Sequence, residues 1–514
     1  MSERKALKPV ITVAVMMIIT IAGKALALVR DRLQGTEFGA DTIEGMAFLQ
    51  ASTLPRNFLD IMFAAAFSAS FIPVFNGIMQ KKSKEAAFNL AASFMTFVLL
   101  ITTIITILMM IFAAPIFGIT LGNDVPDGVF VLGTALFRIM LPLMIFSGLA
   151  FTFTGILQSL GEFRIPAAMS VLSNAIIILY YFFLVDSFGV RGLAGAFLLG
   201  WLLQVAVQLP FLIKHKFRFR LKLDFKDEGL RQILKMALPV MASTWVVPVN
   251  QLVNQRVASG LYDGEYGLVA IGFAHTLNLI IAGVFILSVS NLIFPKLSRE
   301  AVLPDLTDFK MTINETVRIL FFFLLPLTLG LMALSEPIIR VWLYGGAFDE
   351  MAVQITARAL FYFSIGIMGF GMMTVLSRAC YAKQDIKTPM IAAGIVIVLN
   401  AAMSISLAPL LEIAGPALAA SVSQIIGALV MMFSLTKQNI LVWNRILVAD
   451  IIKMTAIAVI MVVVVVFVKN QLVGLNTFIY LIIPAVLGVV LYFALAFLLK
   501  LNETQFVLRM IRKK

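Results

Sequence analysis

Charged side chains set inside apolar stretches are the residues of this chain that invite a chemical reading. Residues 9–33 read PVITVAVMMIITIAGKALALVRDRL, and the second half of that stretch carries Lys24, Arg30, Asp31 and Arg32. Roughly 20 apolar residues cross a bilayer, and each charge at membrane depth costs on the order of 2.5–3.5 kcal/mol. Such a charge faces a water-filled cavity or a partner, or snorkels to the headgroups when it lies near a span end, a reading that stays open for Arg32. Arg56 and Asp60 stand four residues apart in the next apolar stretch, on one helical face, where they can pair. Arg138, Arg256, His275, Arg358 and Arg378 lie in later stretches. Arg138, Arg358 and Arg378 read equally as interfacial anchors, and His275 as a core histidine or a proton relay. Most of the charges in the first half are cationic. A cavity lined by Arg and Lys suits an anion, and the guanidinium fork suits phosphate.

An enzyme needs paired acid and base groups beside water. The short acidic loops offer only scattered carboxylates: Glu37, Asp41, Glu44, Asp124 and Asp127. There is no HExxH or GxxxxGK[ST] pattern, one cysteine (Cys380), and two histidines far apart, His215 and His275. These features argue against an enzyme, a metal centre, a disulfide framework or an organic cofactor. Coupling to the membrane potential or to a monovalent cation is the one accessory expected.

The elements that must position these charges are membrane helices. The chain has 514 residues, 61% hydrophobic and 13% charged, against about 25% charged in soluble domains. Its mean hydropathy is +1.01. About fourteen apolar spans can be drawn, the first over 9–33 and the last two over 447–468 and 476–500. The first span is too long for a signal-peptide core and is expected to be retained. Pro55, Pro142, Pro248 and Pro326 fall inside spans and predict kinks. Basic breaks (Lys81, Lys82 and Lys84; Lys214 to Lys222; Lys296 and Arg299; Lys383 and Lys387) alternate with breaks such as GTEFGADTIEG and LYDGEYG. With positive residues inside, both basic termini are cytoplasmic. The net charge of +13 is thereby assigned to loops facing anionic membrane lipids, not to nucleic acid.

The chain also repeats itself. FIP at Phe71–Pro73 returns as IFP at Ile293–Pro295, APIFG from Ala114 as EPIIR from Glu336, ALF from Ala135 again from Ala359, GEFRIP from Gly161 as QDIKTP from Gln384, and GLAGA from Gly192 as GPALAA from Gly415, at offsets of 222 to 224 residues. The reading is an all-α integral membrane protein with two parallel six-helix lobes, 1–213 and 232–437. A basic cytoplasmic linker (214–231) joins them, and two extra helices with a basic tail (438–514) follow. Parallel repeats place a substrate site at their interface.

GKALALVRD in the first span, Leu54–Pro55 followed by AAAFSASFIPVF, IFPKLS from Ile293 and YAKQDIKTP over Tyr381–Pro389 resemble the MurJ (MviN) family of lipid II flippases, within the MOP superfamily that also holds the MATE exporters. The resemblance covers nearly the whole chain. It implies a MOP/MATE-like fold and export of undecaprenyl-diphosphate-linked peptidoglycan precursor to the outer leaflet by alternating access. It also implies a monomer in the bacterial inner membrane, with a cationic central cavity and a tail groove formed by the last two helices. Carried over by position, the first-span basic pair falls on Lys24, where the family has Arg, and Arg30, with Asp31 beside it; Asp60, Arg56 one turn earlier and Arg256 one place after the family's span-seven position complete the substrate-binding set. His275, Asp385 and Lys387 are candidates for coupling or gating. Departures are visible. The family's span-two basic pair and acid fall on Leu59, Asp60 and Ala64, its span-seven Asp-Arg on Asn254 and Gln255, and a span-eight acid on His275. These leave another polyprenyl-diphosphate saccharide as the alternative cargo. A MATE-like small-molecule exporter fits less well, because it would want acidic cavity residues.

Overall fold

The computed structural model describes residues 2–66, 70–301, 303–443, 445–501 and 503–504; within these, the side chains of 2–18, 57–66, 238–244, 287, 288, 291, 292 and 295 lie outside the description. The described residues form helices almost throughout and fall into two compact units, Met1–Val249 with Asp263–Glu265, and Asn250–Tyr262 with Tyr266–Lys514.

Unit 1 contains α1 (Ser2–Phe38), α2 (Ile43–Ala66), α3 (Ile72–Lys81), α4 (Lys84–Ile111), α5 (Ala113–Ile119), α6 (Asp127–Met140), α7 (Leu143–Ser159), α8 (Arg164–Phe183), α9 (Val185–Lys214) and α10 (Glu228–Thr244). Pro142 sits at the break between α6 and α7, where its missing N–H interrupts the helical ladder, whereas Pro55 lies inside α2, which runs on through it. Phe71, Phe75, Phe94 and Phe153 build the core among α3, α4 and α7.

The basic linker is an extended strap laid on this unit. The Lys222 amide donates to Thr96 Oγ1 and the Asp224 amide to Ser93 Oγ, both at 3.1 Å, and the Phe217 ring meets Phe88 edge-on at 5.4 Å. Arg218, Arg220 and Lys222 point away, exposed. Of the apolar residues that alternate with them, Phe217 is buried and Leu223 half-buried, whereas Phe219 and Leu221 are exposed too, so period 2 gives only a partial apolar face.

Unit 2 contains most of α11 (Val246–Ala258), then α12 (Gly267–Glu300), α13 (Thr307–Leu343), α14 (Glu350–Ile365), α15 (Ile367–Ala382), α16 (Lys387–Leu411), α17 (Ala414–Lys437), α18 (Arg445–Gln471) and α19 (Thr477–Leu498). α14 and α15 bend by 43° at Gly366, where an added Cβ would press on the Ser421 backbone of α17. The last two helices are seated on α13. Tyr492 is fully buried and its hydroxyl donates to the Phe322 carbonyl at 2.7 Å. Arg318 of α13 pairs with Asp450 of α18 at 2.7 Å and with Glu503 beyond α19 at 2.9 Å, with all three side chains largely buried.

Among the described residues, ten helices are long and apolar enough to cross a membrane, or eleven if the bent α14–α15 pair counts as one span. This is fewer than the fourteen expected. α2 and the α10–α11 pair are rich in polar and charged residues and lie outside that set, as does α1.

Candidate functional site

The charges of the first span are placed by helix geometry. Lys24 and Arg30 are six residues apart, about 120° around the axis by the short way. Accordingly, Lys24 is exposed while Arg30 and Asp31 are buried, at 8% and 4% exposure. The buried side of α1 lies on α8, and Gly23 makes this approach possible: a Cβ there would run into the Ser170 hydroxyl. Asn174 of α8 exploits the close contact. Its amide donates to the Gly23 carbonyl at 3.3 Å and to the Ser170 carbonyl at 2.8 Å. Its own Oδ1 accepts from Arg30 Nη1 at 2.8 Å.

Arg30 is held from two further sides. Nε and Nη2 donate to the same oxygen of Asp31, at 2.9 and 2.5 Å. Its guanidinium carbon lies 5.3 Å from the centroid of the Phe197 ring of α9. Arg56 of α2, half-buried, stands at the same distance from the same ring. A largely desolvated cation–π contact contributes about 2 kcal/mol, so Phe197 is a shared seat for two guanidinium groups. With Asp31 balancing one of them, Arg30, Asp31 and Arg56 together keep a positive surplus. The Asp60 side chain, expected on the same face as Arg56, lies outside the described residues.

The remaining candidates belong to unit 2. Arg256 is exposed at the last turn of α11. Two residues earlier, Asn254 is buried and accepts from the Asn400 amide of α16 at 3.1 Å. His275 lies half-buried on α12, its ring 5.6 Å from Phe363 in an edge-on contact. Asp385 and Lys387 stand at the start of α16. Lys387 is its exposed first residue, and both oxygens of Asp385 are engaged by Thr388, the amide at 3.0 Å and the hydroxyl at 2.6 Å. Burial works to raise the Asp385 pKa, but these bonds, with help from the Lys387 amide and Gln438, hold it below the ordinary carboxylate value. Among the described residues no group of three His, Cys, Asp or Glu could hold a metal ion.

Asn174 and Phe197 escaped the sequence reading, which followed charge alone. A signal was present: Asn174 in α8 and Asn400 in α16 are each a lone amide in an apolar run.

The model of the family described as lipid II flippase MurJ matches residues 35–488. The chain belongs to the lipid II flippase MurJ family. A probable lipid II flippase MurJ of Buchnera aphidicola subsp. Acyrthosiphon pisum is 29% identical over 442 residues, covering 85% of each chain. The lipid II flippase MurJ of Burkholderia cenocepacia is 26% identical over 429 residues, covering 82% of each. A solved lipid II flippase MurJ in an inward closed conformation superposes with a TM-score of 0.79 at 27% identity, over 94% of this chain and 97% of that one. An inward-facing multidrug resistance MATE transporter of the MOP superfamily, 16% identical with a TM-score of 0.68 over 83% and 98%, shares the fold. This MurJ-family chain is therefore an all-α, multi-pass protein of the bacterial inner membrane, and a transporter instead of an enzyme. The match runs through all of α2, α11 and α12, the helices that carry Asp60, Asn254, Gln255 and His275.

Proposed function

We propose that this chain is a lipid II flippase, moving undecaprenyl-diphosphate-linked peptidoglycan precursor from the inner to the outer leaflet. Membership of the family over 35–488 is the observation that carries the cargo. Two six-helix lobes, 1–213 and 232–437, joined by the 214–231 linker, alternate in access. The polar helices α1, α2 and α10–α11 complete fourteen spans because their charges face the transport path. The helices of 438–514 guide the polyprenyl tail. Both termini are cytoplasmic, the basic strap meets anionic lipid headgroups, and one copy suffices. The membrane potential assists, at about 2.3 kcal/mol per charge moved through 100 mV.

The cationic cluster of α1 and α2 assigns the roles. A diphosphate entering a low-dielectric cavity needs cations to replace its water. Lys24, exposed, and Arg56, half-buried, meet it first. Arg30 is fixed by Asp31, Asn174 and Phe197 and supplies an oriented positive field with little motion of its own. Arg256 contributes from α11, and His275, Asp385 and Lys387 respond to the coupling step. The neutral Asn254 and Gln255, where the family carries Asp and Arg, favour a second reading in which the headgroup is another polyprenyl-diphosphate saccharide.

The test is rescue of a strain depleted of its own lipid II flippase, with membrane levels measured by blot. Lys24→Ala should leave accumulation and thermal stability unchanged yet cut flipping at least tenfold, and Lys24→Arg should restore it. Normal rescue by Lys24→Ala, Arg56→Ala removes the cationic entry from the mechanism. Full expression of the wild type without rescue favours the other saccharide.

A further inference from the structure

The α1–α2 corner of unit 1 carries two exposed carboxylates beside a bend in α9. α1 ends at Phe38, where Gly39 takes the left-handed conformation (φ 69°) and its amide closes on the Gly35 carbonyl at 2.9 Å. Thr42 then starts α2. Its hydroxyl accepts from the Gly45 amide at 3.0 Å and donates to the Phe38 carbonyl. Glu37 and Glu44 flank this turn. Opposite them, α9 bends at Gly189 (φ 53°), and the Tyr180 hydroxyl pins that bend by donating to the Gly189 carbonyl at 2.6 Å. Phe188 and Arg191 project from the bend.

These pieces enclose an open cavity of about 420 Å³, with Leu132 of α6 and Phe188 as its apolar wall. The volume falls in the range of small-molecule sites. Glu37, Glu44 and Arg191 are all exposed, and none makes an ion pair or side-chain hydrogen bond among the described residues. Two carboxylates and a guanidinium on one rim that do not reach each other leave room for a ligand carrying both opposite charges.

We infer that this cavity binds a short peptide bearing a free carboxylate and an ammonium group. Arg191 takes the carboxylate in a bidentate pair, Glu37 and Glu44 take the ammonium, and Leu132 and Phe188 take small apolar side chains. The inference rests on the flippase reading: a peptidoglycan precursor carries a peptide, and with both termini cytoplasmic the GTEFGADTIEG loop lies on the outer side, so the cavity receives the peptide as the headgroup emerges.

The probe is acetyl-Lys-Ala-Ala, titrated against the purified full-length protein by saturation-transfer NMR, beside its C-terminal amide and its Nε-acetyl form. Amidation should weaken binding to the wild type at least fivefold and should add nothing further in Arg191→Gln. Nε-acetylation should behave likewise toward Glu37→Gln, Glu44→Gln. Equal binding of all three peptides to wild type and variants, or no binding to the wild type, overturns the site. In proteoliposomes the wild type should flip a peptide-bearing lipid diphosphate disaccharide faster than a peptide-free one, and Arg191→Gln should reduce that ratio at least fivefold; an unchanged ratio also overturns it. If the wild type moves neither lipid, the flippase reading fails, while the peptide titration still decides the cavity.

Discussion

Two helix pairs, α1–α8 in unit 1 and α11–α16 in unit 2, are each joined by a buried asparagine on the later helix. Asn174 accepts from Arg30, and Asn400 donates to Asn254. Asn254 stands near the position that the repeat offset gives to the counterpart of Arg30. The same seam is therefore charged in one unit and neutral in the other. A neutral amide pair joins helices at low desolvation cost. A charged seam costs several kcal/mol per ion unless it is fully paired, and here Asp31, Asn174 and Phe197 together hold Arg30. The contrast teaches that a buried seam of this kind can be made in this fold without a charge, which is the ground for the proposal that the Arg30 charge serves the cargo.

Making the first seam resemble the second is the strongest way to break the comparison. Arg30→Ala alone leaves Asp31 buried without its partner, which should destabilise the protein by about 3–5 kcal/mol. Arg30→Gln, Asp31→Asn removes both charges and should recover most of that stability in thermal unfolding while flipping stays below a tenth of the wild type. A double variant that is stable and flips normally would reduce the charged seam to a structural device. Arg30→Lys should fall between, since charge survives and the planar fork does not.

The converse change sharpens the neutral side. Asn254→Ala removes the acceptor of the Asn400 amide inside unit 2, and an unsatisfied buried donor costs about 1–3 kcal/mol. Unfolding in detergent should show that loss with less than a twofold change in flipping. A collapse of transport at full stability would mean that the neutral seam also handles cargo.

The smallest effect concerns the start of α16, the helix that carries Asn400. Asp385→Ala removes a cap and should cost about 0.5–2 kcal/mol. The folded pKa of Asp385 lies below its unfolded value of about 3.9. Its contribution is therefore present above that value and lost as pH falls through the folded pKa. The melting-temperature gap between wild type and Asp385→Ala should be constant near neutrality and close below about pH 4. A gap that persists in acid would assign Asp385 a role other than capping.

Much of this architecture was legible in the chain because lipid and water impose one-dimensional rules. Apolar runs had to be helices, so the all-α membrane class followed from hydropathy and the family from motifs such as YAKQDIKTP, while the count of fourteen spans did not emerge from length and apolarity alone. The six-residue spacing of Lys24 and Arg30 already required that they face different ways, and the structure exposes one and buries the other. What the spacing could not reveal was the partner across the seam. Whether Arg30 meets Asp31, Asn174 or Phe197 depends on how closely α1 and α8 approach, and that distance is set by Gly23 against Ser170. The last two helices teach the same point. Their apolarity was evident, but their seat on α13 depends on Tyr492 reaching the Phe322 carbonyl and Arg318 reaching Asp450 and Glu503, across 132 to 185 positions of chain. Periodicity and charge act locally and can be read along the sequence; pairing of buried polar groups is a property of packed surfaces, and only the tertiary structure decides it.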